Sequence, residues 1–257
     1  MPTADDFARI YARAEYHDVH YVEPSAGQFR RSLAALARFV PEGARVLDFG
    51  CGNGQFLKEA SDAGYIAEGV ELDQAARASA AVNSGCTVQS LDEVRKSGVS
   101  YAVIHLGDVL EHLPDPAATL RDLQGLLAPA GLFLIEGPLE ENRSLVAWTA
   151  ARVRRLKASA GRSNYATEPP THLTRFSARS QRDFFERVLG YRLRYFQVHE
   201  SGWPYVVPWA EIVPPKRAST VVRGLIGKAA VGIAKVGNLA GLEIGDRFIA
   251  VVGPPEQ

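Results

Sequence analysis

One short stretch in the first quarter of the chain restricts what the sequence can fold into. Val46–Phe49 is a mainly apolar, strand-type run, and it leads into a loop with glycine at every second position: Gly50, Gly52 and Gly54. Glycine adopts left-handed backbone conformations and lets a ligand approach the main chain closely. A helical pattern follows directly, and the first turn of a helix has unpaired N–H groups. This order of strand, glycine loop and helix favours a ligand site at the edge of a sheet.

Two acidic residues stand near the ends of successive predicted strands. Asp48 belongs to the strand before the glycine loop, and Glu71 ends the next strand, where a carboxylate can accept hydrogen bonds from both hydroxyls of a ribose. A dinucleotide-binding loop has a third glycine at the place where Gln55 stands. Asp48 would also repel a pyrophosphate, whereas it suits a ligand with a cationic amine. Both features disfavour a nicotinamide-dependent oxidoreductase, which stays as an alternative from another enzyme class.

Composition and patterning predict a soluble α/β protein. The chain has 257 residues, 46% of them hydrophobic, and a formal net charge of zero, which gives no overall reason to expect a nucleic-acid partner. Strand-type runs alternate with helical segments, so we expect a Rossmann-like, doubly wound and mostly parallel sheet with helices on both faces. We interpret residues 1–257 as one domain with three parts: a cofactor-binding core (27–136), an insertion that caps the acceptor site (137–176) and a C-terminal part with an amphipathic helix (177–257).

The cysteines and the N-terminus favour a cytoplasmic protein. Cys51 and Cys86 are too few for a disulfide framework, and neither lies in a C-x-x-C spacing. The N-terminus lacks the basic and apolar regions of a secretory signal. The most apolar late stretch, residues 220–242, is interrupted by Arg223, Lys228 and Lys235, so we expect no membrane-spanning segment.

The glycine motif resembles that of the class I S-adenosylmethionine-dependent methyltransferases. The resemblance extends over residues 46–185 and implies a seven-stranded sheet whose last strand is antiparallel. It implies that Asp48, Gly50, Gly52 and Gly54 bind the methionine portion of S-adenosylmethionine and that Glu71 binds the ribose. The turn after the third strand, Ser90 and Leu91, is expected at the adenine, although the Asp common there is missing.

Two later motifs resemble the subgroup that includes the ubiquinone-biosynthesis O-methyltransferases. The first runs from Gly107 to Pro116 and implies that Asp108 and Val109 contact the cofactor; the second is Pro170–Ser177. His112 and His172 fall within these motifs and are candidate general bases, because imidazole titrates near neutral pH.

The spacing of the first of these motifs leaves a second interpretation open. Asp108, Glu111 and His112 would point to one side of a helical turn and resemble a divalent-metal motif of some members of the subgroup. We favour the cofactor-side interpretation and assign no metal ligands.

Three further features concern the methyl acceptor and partners. Arg152, Arg154, Arg155 and Lys157 form a basic stretch that faces either solvent or an anionic acceptor. Trp203, Pro204, Tyr205 and Trp209 line an acceptor pocket or pack on the core. Residues 220–240 form a cationic amphipathic helix, with an apolar face that includes Leu225, Ile226, Ile233 and Val236. We expect that face to pack on the core or on a partner chain, with contact to a membrane surface as the alternative.

These observations predict an S-adenosylmethionine-dependent transfer of a methyl group to a small molecule, with a hydroxyl oxygen as the favoured acceptor. Transfer to nitrogen or carbon of a small or lipid-linked metabolite, and a methyltransferase-like binding protein without turnover, stay as alternatives. The acceptor cannot be read from donor motifs, because a sulfonium methyl is already activated and asks little of the protein beyond alignment.

Overall fold

The structure is a computed structural model that describes residues 27–149, 152, 172–201 and 218–255. Its strands, in chain order, are β1 (Arg45–Phe49), β2 (Ile66–Val70), β3 (Thr87–Gln89), β4 (Tyr101–Gly107), β5 (Leu127–Pro138), β6 (Arg192–His199) and β7 (Arg247–Gly253). They form one sheet in the order β3-β2-β1-β4-β5-β7-β6. Strands β1 to β5 pair in parallel, and β7 is antiparallel to both β5 and β6. The predicted sheet, including its antiparallel last strand, is confirmed.

The helices of the described residues alternate with the strands as predicted. They are α1 (Arg30–Leu36), α2 (Gln55–Asp62), α3 (Gln74–Ser84), α4 (Leu91–Ser97), α5 (Pro116–Leu123), α6 (Ala178–Asp183) and α7 (Ala218–Leu239). Residues 145–149 are also helical. Asp73 caps α3 by accepting a hydrogen bond from the Ala76 amide, as its position before the helix indicated. Helix α4 was not predicted, although Ser90 and Glu93 form the capping box that begins it.

The two faces of the sheet bury separate apolar clusters. On one face Val46, Val103 and Leu134 pack against Leu36 of α1 and Phe56 of α2. A second set packs on the opposite face and includes Leu47, Ile104, Phe133, Leu120 and Phe185. The order of the strands reverses between β1 and β4, so a crevice opens at the carboxyl ends of these two strands. The glycine loop follows β1 at this crevice.

Helix α7 packs with the face opposite to the one we expected. Leu225, Ile226, Ile233 and Val236 are 52%, 40%, 56% and 68% exposed, whereas Ala230 and Ala234 are buried. Of the two alternatives expected for this apolar face, packing on the core is therefore wrong for the described residues, and packing on a partner chain stays a prediction. Small side chains allow the helix to approach β6 closely, which turns the bulky side chains outward. In the part of the chain that is described, no helix has the length and hydrophobicity that crossing a bilayer requires.

Candidate functional site

The glycine loop has the left-handed backbone that its composition predicted. Gly50, Gly52 and Gly54 have φ angles of +77°, +53° and +81°. The amides of Gly50 and Cys51 both donate to the carbonyl of Val70 at the end of β2, at 2.8 and 3.0 Å. These bonds fasten the loop to the end of β2, beside the crevice between β1 and β4. The N-terminus of α2 follows at once, since Gly54 is its N-cap.

The replacement Gly54→Ala is expected to destabilise the protein by about 2–4 kcal/mol, because the left-handed backbone and a steric clash act together. A Cβ at Gly54 would lie 2.7 Å from the backbone oxygen of Ala80, which cannot rotate away. Gly85→Ala is the matched control: its φ is +69°, but no atom lies within 4 Å of the added carbon. We expect the control to cost about 1 kcal/mol. Chemical unfolding measures both, and equal losses would contradict the packing argument.

Glu71 connects the end of β2 to the glycine loop. Its Oε2 accepts a hydrogen bond from the Gly52 amide at 3.0 Å, and its Oε1 accepts one from the Leu72 amide at 2.7 Å. Arg77 of α3 donates to the carbonyls of Glu71 and Leu72, which fixes this turn. The structure thus brings Glu71 and the glycine loop together, as the sequence predicted.

The other predicted cofactor residues on this side lie around the same edge. Ser90 caps α4, with its hydroxyl close to Glu93, and Leu91 begins that helix at the carboxyl end of β3. Their contact with an adenine stays a prediction.

Cys51 of the glycine loop is a poor nucleophile at neutral pH. Burial is the larger cause, and the negative charges of Asp48 and Glu71 add to it; together they raise the pKa of the thiol above its usual range.

Asp48 lies beneath the glycine loop in a buried network of charged side chains. Its Oδ1 is 2.7 Å from Nδ1 of His105 on β4, and Nε2 of the same imidazole is 3.0 Å from Oε1 of Glu136 on β5. Ser32 of α1 donates to the other Glu136 oxygen at 2.6 Å. The His105 ring stacks on Phe56, with 3.6 Å between the ring centroids. The network joins α1, β1, β4 and β5 directly below the crevice.

The charges of this network stabilise one another. Burial lowers the pKa of His105, but the carboxylates of Asp48 and Glu136 outweigh that effect and raise it to about 9. Burial likewise opposes ionisation of Glu136, while hydrogen bonds and charge from His105 bring the net pKa of that carboxyl below its usual value. His105 is therefore an imidazolium between two carboxylates at neutral pH.

Asp108 and Val109 follow β4 on the other side of the crevice. The side chain of Val109 lies against the glycine loop: a Cβ added to Gly50 would be only 2.8 Å from it. Asp108 has a positive φ of +54°, rare for a residue other than glycine, and both carboxylate oxygens accept from Arg247 of β7 at 2.7 and 2.8 Å. Direct contact of these residues with a cofactor stays a prediction.

His112 and His172 lie together beside this edge. Their ring centroids are 4.8 Å apart, and Nδ1 of His172 is 3.1 Å from a carboxylate oxygen of Glu140. Glu111 lies next to them, 3% exposed, and its Oε1 makes no hydrogen bond within the described residues. Burial, with the Asp108 carboxylate adding to it, raises the pKa of Glu111 to about 8.

The same group of side chains could hold a divalent cation. One ligand atom from each of Glu111, His112 and His172 lies within 4.8 Å of the other two. A carboxylate and two imidazoles suit several divalent metals. The alternative interpretation of the sequence grouped Asp108 with Glu111 and His112; in the structure the Asp108 carboxylate is bound to Arg247 instead.

Sequence reasoning missed His105, Glu136, Glu140 and Arg247. Two signals were present: His105 and Glu136 each interrupt an apolar run in a strand buried on both faces, and such polar residues need a partner. Nothing local points to the Asp108–Arg247 pair, because 139 positions separate its members.

Several predicted acceptor residues lie outside the described residues. These are Arg154, Arg155, Lys157, Trp203, Pro204, Tyr205 and Trp209. Arg152 is described and exposed; its guanidinium lies 4.7 Å from the centre of the Trp148 ring.

A doubly wound sheet, a glycine loop at its switch point and an acid at the end of β2 define a Rossmann-like protein with a nucleotide-type site. The family model described as a methyltransferase domain matches residues 12–193, and the chain belongs to that family.

Individual relatives agree with this assignment. The ubiquinone biosynthesis O-methyltransferase of Aromatoleum aromaticum is 30% identical over 126 residues, which are 46% of this chain and 52% of that protein. The chain thus spans about half the length of the curated relatives it matches.

Solved structures share the fold. The methyltransferase of Geobacter sulfurreducens in complex with S-adenosylhomocysteine has a TM-score of 0.53 at 19% identity, covering 96% of this chain and 98% of that one. Magnesium protoporphyrin IX methyltransferase from Synechocystis PCC 6803, with bound S-adenosylhomocysteine, has a TM-score of 0.58 at 13% identity, covering 97% and 99%.

Proposed function

We propose that this protein transfers a methyl group from S-adenosylmethionine to a hydroxyl oxygen of a small molecule. The observation that carries the proposal is the convergence of two groups at one sheet edge. The glycine loop with Glu71 lies on one side, and His112, His172 and Glu111 lie on the other, with Val109 between them. The first group suits the donor, and the second suits the removal of a hydroxyl proton.

The residues present fit the donor. Gly50 and Gly52 place no side chain at the crevice, so a ligand can approach the main chain of the loop closely, and Glu71 offers a carboxylate at the position where a ribose binds in this fold. Glu71 places negative charge at the loop, which favours a ligand with a cationic ammonium and sulfonium over a pyrophosphate. S-adenosylmethionine would supply a methyl group already activated by its sulfonium. The protein has to bind, orient and exclude water.

His172 is the best-placed base among the described residues. Its Nδ1 lies 3.1 Å from a carboxylate oxygen of Glu140, and in the tautomer with the proton on Nδ1 its Nε2 can accept a proton from the acceptor hydroxyl. Nε2 also faces Glu111, whose Oε1 is 4.0 Å away, and the edge of the His112 ring packs against the same imidazole. Glu140 thus orients His172 and stabilises the imidazolium that forms once the proton is taken.

The names of the relatives support oxygen as the acceptor atom, since they are ubiquinone biosynthesis O-methyltransferases. A nitrogen acceptor that is already neutral would need no base, so the cluster of two half-buried histidines and the buried Glu111 also favours a hydroxyl. The competing function is a protein that binds S-adenosylmethionine but does not transfer its methyl group.

The proposal is tested with S-adenosylmethionine that carries an isotope-labelled methyl group and with three probe acceptors: a catechol, a phenol and an aliphatic amine. We expect enzyme-dependent label in a methyl ether and stoichiometric release of S-adenosylhomocysteine. Label in the amine product alone would move the assignment to N-methylation. Saturable binding of S-adenosylhomocysteine without transfer to any probe or to extracts of small metabolites would contradict turnover.

The replacement His172→Asn is expected to lower kcat on a hydroxyl acceptor by about 100- to 10,000-fold, because it removes the base, and to leave S-adenosylhomocysteine affinity unchanged. His112→Asn, which replaces the ring that packs against His172, is expected to cost less. His199→Asn on β6 is the control: its imidazole lies outside the cluster, where burial and Arg31 lower its pKa to about 4.

If His172→Asn kept the turnover of the wild type, His172 would not be the general base. If a chelator abolished wild-type activity and Mg²⁺ restored it, the cluster of Glu111, His112 and His172 would act as a metal site instead.

A further inference from the structure

Helix α7 exposes its bulky aliphatic side chains instead of burying them. Five of these residues share the outward side of the helix: Leu225, Ile226, Ile233, Val236 and Leu239, between 40% and 84% exposed. Leu242, just after the helix, is a further exposed aliphatic at 56%. We call these six residues the apolar stripe. Single exposed aliphatics are common on protein surfaces, but a continuous stripe marks a contact surface.

The packing of α7 fixes the stripe outward. The side of the helix that faces β6 contains Gly227, Ala230, Ala234 and Gly237, all buried. A Cβ on Gly237 would lie 2.8 Å from Cδ1 of Ile244, so the inner side of the helix is closely packed at this position. Small residues on this side let the helix lie close to its neighbours, which leaves the bulky aliphatic side chains on the outward side.

Hydrogen bonds from Asn238 fix the rotation of the helix as well. Its Nδ2 donates to the carbonyl of Val198 on β6 at 2.9 Å and to that of Ile244 at 2.8 Å, and its Oδ1 accepts from the Ile244 amide. Turning the stripe inward would break all three bonds.

The charged residues of α7 and of the segment just before it have one sign. Between Ile212 and Leu242 the sequence contains Lys216, Arg217, Arg223, Lys228 and Lys235 and not one acidic residue. At about 100° per residue, Lys228 and Lys235 lie along one edge of the stripe. An apolar face bordered by cations is the pattern of a helix that lies in the interface of an anionic bilayer.

We infer that α7 is a membrane-docking helix, which places the apolar stripe in the interface of an anionic lipid bilayer with Lys228 and Lys235 at the level of the headgroups. A second copy of the chain is the competing occupant. In a two-fold dimer the same patch meets itself, so the cations of both copies would be brought together without an acid from this segment to neutralise them. Charge therefore favours lipid. The inference goes beyond the proposed function and does not depend on methyl transfer.

The test is flotation of the full chain with vesicles of phosphatidylcholine and with vesicles of equal parts phosphatidylcholine and phosphatidylglycerol. We expect association with the anionic vesicles only, and a loss of that association at high salt. The triple replacement of Leu225, Ile233 and Val236 by serine is expected to lower the partition coefficient between anionic vesicles and water by about tenfold or more. Val82→Ser, at an 84% exposed aliphatic on α3, is the matched control and should bind as the wild type does.

A second pair of variants tests the charges. Lys228→Glu with Lys235→Glu should also abolish flotation, whereas Lys58→Glu with Lys96→Glu, on α2 and α4, should not. Circular dichroism and light scattering confirm that each variant is folded and report its oligomeric state. Absence of flotation with anionic vesicles, equal flotation with neutral ones, or a wild-type dimer that the triple variant dissociates would each overturn the inference.

Discussion

The replacement Glu71→Ala is expected to weaken the binding of S-adenosylhomocysteine by about 100- to 1,000-fold, since hydrogen bonds to a charged group contribute about 1.5–3 kcal/mol each. Glu71 ends β2 at the crevice, and its carboxylate is already held in place by the amides of Gly52 and Leu72. A carboxylate oriented in this way can accept from both ribose hydroxyls with little loss of side-chain entropy.

Isothermal titration calorimetry with S-adenosylmethionine, S-adenosylhomocysteine and NAD measures this prediction. Glu71→Gln keeps an acceptor oxygen and should lose less affinity. Glu68→Ala is the matched control, because Glu68 lies on the same strand but is bonded to Arg45 and Tyr101 away from the crevice. Unchanged S-adenosylhomocysteine affinity in Glu71→Ala, or saturable binding of NAD alone, would contradict the assignment of the site.

The replacement His105→Gln is expected to lower the free energy of unfolding at pH 7 by about 3–5 kcal/mol, the usual cost of removing one partner from a buried ion pair. His105 is 1% exposed and lies between Asp48 and Glu136. Gln keeps a hydrogen-bond donor but no charge, so two buried carboxylates lose the cation that stabilises them. Urea unfolding measures the loss.

A second replacement separates the charge from the packing. Adding Glu136→Gln to His105→Gln removes one of the two orphaned carboxylates, so the double variant should be more stable than His105→Gln alone. If the losses of the two single variants simply added, the charge account would be excluded.

The pH dependence of stability follows from the same network. The pKa of His105 is about 9 in the folded protein, above the 6.5 of an unperturbed histidine. A group whose pKa is raised by folding contributes its stabilisation fully below the unfolded value and loses it as the pH rises through the folded value. The wild type should therefore lose about 3 kcal/mol between pH 6.5 and 9. The double variant His105→Gln/Glu136→Gln should lose less over that interval; parallel curves would contradict the prediction.

Local sequence was sufficient for the elements nearest the donor site. The φ angles at Gly50, Gly52 and Gly54 and the cap at Asp73 are properties of single residues and their immediate neighbours. Strand alternation was equally local, and with the resemblance to a known family it predicted the seven-stranded sheet. The position of Glu71 followed because the carboxyl ends of parallel strands meet at one edge.

The contacts that complete the candidate site join distant parts of the chain. His172 meets Glu111 and His112 only because the segment just before α6 lies at the end of β4. There the amides of Leu173 and Thr174 donate to the Glu111 carbonyl. Arg247 reaches Asp108 from the last strand for the same reason. A local pattern contains no information about such distances, so it left two interpretations of Asp108 open, one with Glu111 and His112 and the favoured one at the cofactor.

The sequence by itself determined the alternation of elements, the glycine loop and the two acids of the donor side, because short-range backbone preferences and hydrophobic periodicity decide them. Only the tertiary structure decided which polar groups share the interior and which face of α7 is outward. Amphipathic periodicity shows that a helix has two faces, but it does not show which face the rest of the protein can accommodate. Here the side of α7 that faces the neighbouring strand buries small residues, among them Ala230 and Ala234, so close packing places the bulky face of α7 on the surface.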